Sequence, residues 1–347
     1  MAFEFKELRN KNEWNDFLIN FQKKDDGREN FSFIQSYQWL ELQELYGRKV
    51  YPLGIYQDDK LIGVSAGIGI RARRGSYLYV RNGPVIDWNN SQLVEALISH
   101  YKYYAKKNGL WFIRISPLIS KQDYSNTTLS KYSFPTAPMN DVEALDTYVM
   151  NLEGNEEEIF MDIKKKTRYE IRKAEKECEV FVSNDSKYID DFYKIELDTV
   201  KRNNWTAYSK DYIKKEFEVF AKDNLARIIL IKHQEKFIAG AIFIDFGDQT
   251  YYHYSASLTE FRHIPGPYLS IWTAAKEAKK NGLKKLNFWG ITYENAKASH
   301  PWWGLTRFKM KFPGDVYRYS SAKDIPVTKK YWLTNIYERI DKKRKGY

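Results

Sequence analysis

Each of two short stretches of the chain consists of two apolar runs separated by a polar turn. In residues 54–66 the turn is Asp58–Lys60, and in residues 231–243 it is His233–Lys236. Runs of this length on either side of a tight polar turn predict two antiparallel strands joined as a hairpin. The sequence therefore predicts one hairpin in each half of the chain.

Each predicted hairpin is followed by an amphipathic run that ends in glycine and leads into a short apolar segment. These segments are 93–108, Gly109 and 110–115 in the first half, and 268–281, Gly282 and 286–291 in the second. Glycine directly after an apolar periodic run predicts the end of a helix, and the apolar segment predicts a strand. The peptide Ala-Lys-Lys-Asn-Gly-Leu closes both runs.

The repeated order predicts a duplicated domain. Lys60 and Lys236 of the two turns are 176 residues apart, and Gly109 and Gly282 are 173 apart. A hairpin, helix and strand suit a mixed sheet flanked by helices, a plan similar to that of N-acyltransferase domains. We predict an α/β fold with mixed sheets in two tandem GNAT-like domains. Domain 1 covers 1–149 and is completed by the C-terminal segment 320–347, and domain 2 covers 150–319.

The segment 329–345 is basic and predicts a terminal helix. Trp332, Ile336 and Ile340 recur at helical spacing, so we expect this apolar face to dock on domain 1.

Composition narrows the class of protein. The 347 residues are 43% hydrophobic, enough for two cores, and the single Cys178 has no partner for a disulfide. No run approaches the roughly 20 apolar residues that span a bilayer, so we expect a cytoplasmic protein. The formal charge of +11 favours polyanionic partners.

Motifs for common catalytic chemistry are missing. The five histidines are scattered, and the chain has no phosphate-binding glycine loop and no Gly-x-Ser-x-Gly elbow. We predict no metal and no cofactor.

Three segments could carry another chemistry. In 162–176, basic residues at steps of four predict a cationic stripe on a helix that could receive phosphates, although a merely solvated face is the alternative. The stripe consists of Lys164, Arg168, Arg172 and Lys176. The strand 250–257 is predicted to place Tyr252 and Tyr254 on one face and His253 on the other. The segment 302–314 contains Phe308 and Lys309, for which a core aromatic and a surface charge are the plain interpretation.

Together these segments resemble the Fem (FemABX) family, whose members transfer amino acids from aminoacyl-tRNA to the stem peptide of peptidoglycan precursors. The resemblance covers nearly the whole chain and rests on the basic run, the Tyr-Tyr-His-Tyr-Ser-Ala-Ser strand, the 267–283 helix and the Phe308-Lys309 pair before Phe312-Pro-Gly314. Because 226–230 leads directly into the second hairpin, the chain is similar to members without a coiled-coil arm. The resemblance implies aminoacyl-tRNA and a UDP-linked or lipid-linked muramyl peptide as partners, with peripheral membrane approach and a monomeric protein.

The resemblance also implies roles for individual residues. Lys309 and Phe308 match the catalytic pair near the aminoacyl end of the RNA. Contacts with the precursor are implied for Thr206, Tyr212 and either Tyr252 or Tyr254. Three positions depart from the family pattern: Tyr208 replaces an arginine, Ser116 an aspartate and Glu41 a lysine. We expect Tyr208, Ser116 and Glu41 to contact the substrate as well, and the departures leave open how the acceptor binds.

Two other interpretations remain open. In an acyl-CoA N-acyltransferase, 262–267 would be the pyrophosphate loop, but Pro265 and Pro267 lack the amide hydrogens that such a loop uses. A non-catalytic RNA-binding protein would use the cationic stripe and aromatics to hold nucleic acid.

Overall fold

The computed structural model describes residues 3–24, 31–72, 75–138, 145–292, 296 and 300–345. The chain divides into two compact units, unit 1 formed by residues 1–145 with 317–347 and unit 2 by 146–316. A strand, Asp146–Asn151, spans the domain boundary that we placed at residue 149. The chain ends of the predicted domains, residues 1 and 347, lie outside the described residues.

Unit 1 contains a six-stranded sheet. Its elements are β1 (Phe3–Glu7), α1 (Lys11–Lys24), α2 (Tyr37–Leu45), β2 (Val50–Gln57), β3 (Lys60–Ala72), β4 (Gly75–Arg81), α3 (Ser91–Lys107), β5 (Phe112–Ser116), β13 (Lys323–Pro326) and α10 (Tyr331–Lys345). The strand order is β1-β2-β3-β4-β5-β13, with β4 and β5 parallel and the other pairs antiparallel. Apolar side chains of α3 pack with those of β2, β4 and β5 to form the core of this unit.

Unit 2 repeats this arrangement. Its elements are β6 (Asp146–Asn151), α4 (Glu156–Asp162), α5 (Lys165–Glu177), β7 (Glu179–Ser183), α6 (Ile189–Asn203), α7 (Lys210–Ala221), β8 (Ala226–His233), β9 (Lys236–Phe246), β10 (Gln249–Ser257), α8 (Gly266–Lys280), β11 (Lys285–Ile291), α9 (Trp303–Lys309) and β12 (Asp315–Arg318). The sheet order β7-β8-β9-β10-β11-β6 matches that of unit 1 strand for strand, and β12 adds one edge. The predicted mixed α/β fold in tandem is confirmed.

The two predicted hairpins form in register. Gln57 pairs with Lys60, and His233 pairs with Lys236. Asp58 and Asp59 take positive φ angles of 48° and 60°, which two-residue hairpin turns require so that the turn follows the twist of the strands.

Both glycines after the amphipathic runs also behave as predicted. Gly109 and Gly282 have φ angles of 66° and 76°, the left-handed conformation that ends a helix without a clash from Cβ. The predicted helices correspond to α3 and α8.

The terminal helix α10 docks on unit 1, but with the face opposite to the predicted one. Tyr331 is fully buried and Asn335 is 3% exposed. The predicted docking residues point to solvent: Trp332, Ile336 and Ile340 are 52%, 57% and 54% exposed.

A buried charge explains this orientation of α10. Arg114, inside the sheet on β5, donates two hydrogen bonds to Asp324 at 2.7 and 2.9 Å, and two to Glu338 of α10 at 3.1 and 2.8 Å. A buried guanidinium needs charged partners, so the polar side of the helix turns inward. Among the described residues, no helix has the length and apolarity to cross a membrane.

Candidate active site

The parallel pair β10–β11 of unit 2 is joined over only part of its length. The pairing runs from Gln249 with Lys285 to Tyr251 with Asn287, although β10 continues to Ser257 and β11 to Ile291. A register shift between Tyr252 and Tyr254 marks a β-bulge in β10. A bulge ends regular pairing and bends the strand, and bulges are common beside active sites.

Strand β11 is also irregular past its paired part. Trp289 has a φ of 60°, a conformation that side-chain-bearing residues rarely adopt. The turn is held by Asn287, whose Oδ1 accepts from the Trp289 amide at 2.8 Å and whose Nδ2 donates to Gln249 at 2.9 Å. Strained backbone that is held in place by its neighbours is common at functional sites. This end of β11 is therefore a candidate site.

Lys309 is held against this part of β11. It ends α9, is only 4% exposed, and its Nζ donates to the Gly290 carbonyl at 2.6 Å. Burial disfavours the charged ammonium and lowers the pKa of Lys309 to about 7. Both protonation states are therefore accessible near neutral pH.

Phe308 fixes the other side of the α9 end. It packs on the edge of the unit 2 core, with its ring 5.1 Å from that of Tyr268 and 6.5 Å from that of Phe312. The aromatic packing orients the end of the helix from which Lys309 projects. The structure thus places Lys309 at the end of β11 and Phe308 next to it, against Tyr268 and Phe312.

The predicted basic helix is present as α5, with Lys164 at its N-cap. Lys164 Nζ donates to the Met310 carbonyl at 2.7 Å, next to Lys309 in the chain. Arg168 caps the end of α4 through the carbonyls of Met161 and Ile163.

The other two cations of the stripe, Arg172 and Lys176, lie farther along the helix. The Arg172 guanidinium lies 5.2 Å from the Phe160 ring centre, and Lys176 is exposed in the last turn. The partners of the first three cations are neutral carbonyls or a ring, so the positive charge of the helix persists beside α9. Phosphate binding by the stripe stays a prediction.

The predicted shared face of Tyr252 and Tyr254 is wrong. Tyr252 pairs with Phe243 and Tyr254 with Ile242, so His253 is the extra residue of the bulge. Neighbouring positions on β9 face opposite sides of the sheet, so the two tyrosines do as well. Tyr252 joins the core, while Tyr254 lies on the other face.

Three predicted substrate residues do come together on that other face. The rings of Tyr208 and Tyr212 stack at 5.1 Å, and Tyr208 meets Tyr254 edge-on at 6.0 Å. Tyr208 is 58% exposed, and Thr206 is exposed in the same α6–α7 connection. These aromatic side chains offer a partly exposed surface to a ligand.

Glu216, which sequence reasoning missed, anchors this aromatic group. Its carboxylate is 1% exposed and accepts from Tyr254 at 2.6 Å, and His253 Nε2 lies 3.0 Å from its other oxygen. Burial, and then the charge of Glu216, raise the pKa of Tyr254 far above its usual range. Tyr254 is therefore a neutral hydrogen-bond donor held by a buried acid.

Glu196 of α6 is a second acidic residue that the sequence pattern did not single out. Burial raises the pKa of its carboxyl to about 7, and its charge in turn raises the pKa of Tyr252, after burial. A carboxyl that titrates near neutrality can exchange protons at working pH, which is a property of general acids and bases.

The remaining two predicted residues, Glu41 and Ser116, lie in unit 1 and make their contacts there. Glu41 on α2 pairs with Lys11 at 3.1 Å. Ser116 ends β5, is 5% exposed, and its Oγ accepts from the Asn82 amide at 3.0 Å. Within the described part of the chain, no group of three or more His, Cys, Asp or Glu side chains is placed to hold a metal ion.

The fold and the bulged parallel pair define a tandem N-acyltransferase-fold protein. A tandem GNAT protein from the clavulanic acid biosynthesis pathway superimposes with a TM-score of 0.56 at 9% identity, covering 94% of this chain and 99% of that one. The FemAB family profile matches residues 18–232 and 222–339. The chain belongs to the FemAB family.

Individual relatives are distant in sequence and near in structure. A crystal structure of FemX superimposes with a TM-score of 0.83 at 18% identity, covering 96% of this chain and all of that one. Lipid II:glycine glycyltransferase of Staphylococcus aureus (strain MRSA252) is 18% identical in an alignment that covers 81% of this chain and 84% of the relative. The predicted family is thereby confirmed.

Proposed function

We propose that the protein is an aminoacyltransferase that moves an amino acid from aminoacyl-tRNA to an amine on the stem peptide of a peptidoglycan precursor. Membership of the FemAB family supports transfer to such a precursor. The observation that carries the proposal is the buried Lys309, held at Gly290 where β10 and β11 part.

The reaction needs alignment more than activation, because the donor is already an ester. The acceptor amine attacks the ester carbonyl and forms the new N–C bond, and the C–O bond to the ribose then breaks. One proton leaves the amine and one reaches the departing ribose oxygen, so a neutral amide and a free hydroxyl result. Correct positioning of the two reactants is worth about 7 to 11 kcal/mol.

Lys309 supplies positive charge where the carbonyl oxygen becomes negative. A preorganised donor at such an oxyanion is worth roughly 3 kcal/mol. With its pKa lowered to about 7, Lys309 is protonated mainly below that pH. The acceptor amine must lose a proton before attack, which favours high pH, so the two requirements together predict a bell-shaped pH profile with a descending limb from Lys309.

The other groups of unit 2 suit the two substrates. The charge of α5 next to α9 fits the phosphates of the RNA end. The exposed ring of Tyr208, stacked on the half-buried ring of Tyr212, fits the precursor in place of an arginine contact with its diphosphate. Staphylococcus aureus relatives are named lipid II:glycine glycyltransferase, which favours a lipid-linked acceptor. We further propose a cytoplasmic monomer that approaches the membrane peripherally.

The test is mass spectrometry of lipid-linked and UDP-linked muramyl pentapeptide after incubation with the protein and charged total tRNA. We expect a gain of one amino-acid residue that RNase abolishes. Lys309→Met should lower the rate about 100-fold. Lys311→Met is the matched control, because Lys311 is two residues away and its ammonium contacts the hydroxyl and ring of Tyr268 instead of β11.

Three outcomes would contradict the proposal. Transfer that requires acetyl-CoA instead of charged tRNA would assign the protein to the acyl-CoA N-acyltransferases. Salt-dependent tRNA binding without turnover, unchanged in Lys309→Met, would indicate an RNA-binding protein. Equal loss of rate in both lysine variants would remove the catalytic role from Lys309.

A further inference from the structure

The solvent-facing side of α10 carries a continuous apolar stripe. The stripe consists of Trp332, Leu333, Ile336 and Ile340, which are 52%, 64%, 57% and 54% exposed. At about 100° per residue these positions fall within one third of the helix circumference. Single exposed apolar residues are ordinary on a protein surface, but four on one helix face form a patch that indicates a partner.

The apolar stripe does not pack on unit 1. The opposite side of α10 makes the contacts with that unit. Tyr331 donates to Asp324 at 3.2 Å, and Glu338 accepts from Arg114 at 2.8 Å. Thr334 is 3% exposed and lies against Gly75, where an added Cβ would come within 2.6 Å of its hydroxyl oxygen. The docked face fixes the helix, so the stripe is held outward.

The charges around the stripe have one sign. Arg339, Lys343 and Arg344 are exposed beside it or at its C-terminal end, and Lys329 is exposed before its first turn. The helix has two carboxylates, and neither borders the stripe: Glu338 is bound to Arg114, and Asp341 is turned roughly 100° away from Ile340. An apolar strip with tryptophan near one end and cations around it complements an anionic bilayer surface.

We propose that α10 docks the protein on anionic membranes, lying parallel to the surface with this stripe in the boundary between headgroups and acyl chains. The helix of 15 residues is about 22 Å long, which suits a helix lying on a membrane. Its apolar side chains enter the bilayer while the flanking cations stay with the lipid phosphates. A lipid-linked acceptor lies in the same bilayer, so this surface serves the proposed transfer without depending on it.

The experiment is flotation of the full chain with vesicles of phosphatidylcholine containing 30% phosphatidylglycerol, prepared for the assay. We expect Trp332→Ser/Ile336→Ser to lower the partition coefficient at least tenfold. The matched control is Leu45→Ser/Tyr103→Ser, which removes two side chains of unit 1 that are 59% and 64% exposed elsewhere, and which should change partition less than twofold. Thermal melts of both variants should match that of the parent chain, because all four side chains are exposed.

The charges give a second arm to the same experiment. Lys329→Gln/Lys343→Gln should weaken binding to the anionic vesicles, and raising the salt concentration should have the same effect because salt screens exposed charges. Binding to pure phosphatidylcholine should be at least tenfold weaker than to the mixture.

Either of two results would overturn the proposal. One is equal partition of the stripe variant and the parent chain. The other is a dimer in sedimentation velocity that the stripe variant abolishes while vesicle binding persists, which would make the stripe a contact between two copies of the chain. Neither measurement uses tRNA or a muramyl peptide, so failure here leaves the transfer assay to decide the proposed function by itself.

Discussion

The two units share one strand order but differ in their central parallel pair. In unit 1, β4 and β5 stay paired from Tyr77 with Phe112 to Arg81 with Ser116. In unit 2, the pairing of β10 and β11 stops at Tyr251 with Asn287, where the bulge begins. The same architecture is therefore continuous in one unit and parted in the other, and the parted strands are the ones beside Lys309.

Buried charges differ between the units in the same way. Arg114 of unit 1 has two carboxylate partners, so its burial is compensated and ties the C-terminal segment to the sheet. Lys309 of unit 2 binds a neutral carbonyl, and burial lowers its pKa. Removing one partner of a buried ion pair leaves the other charge uncompensated and destabilises the fold, whereas a buried charge with a shifted pKa is a common feature of functional sites. Arg114 therefore ties unit 1 together, whereas the proposed role of Lys309 uses a buried charge whose hydrogen-bond partner is a neutral carbonyl.

The largest expected change in stability comes from Arg114 of unit 1. Arg114→Met should lower the free energy of unfolding by about 3 to 5 kcal/mol, because it leaves Asp324 buried without its guanidinium. Urea denaturation would measure the loss. Arg71→Met is the control, since Arg71 is exposed on β3 and should change stability by less than about 0.5 kcal/mol. A loss no larger than that of the control would show that Arg114 is not a structural charge.

Lys309→Met should instead raise the free energy of unfolding. In the folded chain the lysine has a pKa of about 7, so between pH 7 and the ordinary lysine pKa of about 10.4 the unfolded chain binds more protons, and stability rises with pH. At pH 7 and below, the variant should be more stable by about 2 kcal/mol, after allowing for the lost bond to Gly290.

Denaturation of the Lys309→Met variant and the parent chain at pH 6.5 and 10 would measure this difference, which should shrink at the higher pH. Lys311→Met, which removes a half-buried lysine two residues away, is again the matched variant. A variant that is less stable than the parent chain at pH 6.5 would mean that Lys309 is structural, and the contrast with Arg114 would fail.

Local sequence patterns were enough to predict the repeated elements. The hairpins, the helices α3 and α8 and the strands after them depend on nearby turn residues and on apolar spacing. Those signals act within a few residues, so they do not depend on contacts with distant parts of the chain. The segment 302–314 was singled out from the sequence, but a catalytic role for Phe308 and Lys309 was predicted only through the family resemblance, since a single lysine in a short helix has no local signal for burial.

Contacts distant in sequence account for what was missed. The face of α10 depends on Arg114, which lies 224 residues before Glu338 in the chain. The bulge at His253 depends on pairing with β9, which strict alternation cannot reveal. Glu196 and Glu216 lie on amphipathic helices, where an acidic residue usually predicts solvent.

The smallest expected change in stability in this contrast between the units comes from Glu196. Its folded pKa of about 7 lies above the ordinary value of about 4.3 for glutamate, so between these pH values the folded chain binds more protons than the unfolded one. Its contribution to stability is therefore present at low pH and is lost as pH rises to 7.

Glu196→Gln should accordingly be more stable than the parent chain at pH 7.5, by about 1 kcal/mol after a discount for the partly exposed carboxyl, and no more stable at pH 4. Exposed Glu218→Gln on α7 is the matched control. With Lys309, this predicts that unit 2 carries its largest internal electrostatic cost near neutral pH, where the acid and the base are each half charged. If Glu196→Gln changes stability equally at both pH values, Glu196 titrates as an ordinary surface acid, and the cost in unit 2 rests on Lys309 alone.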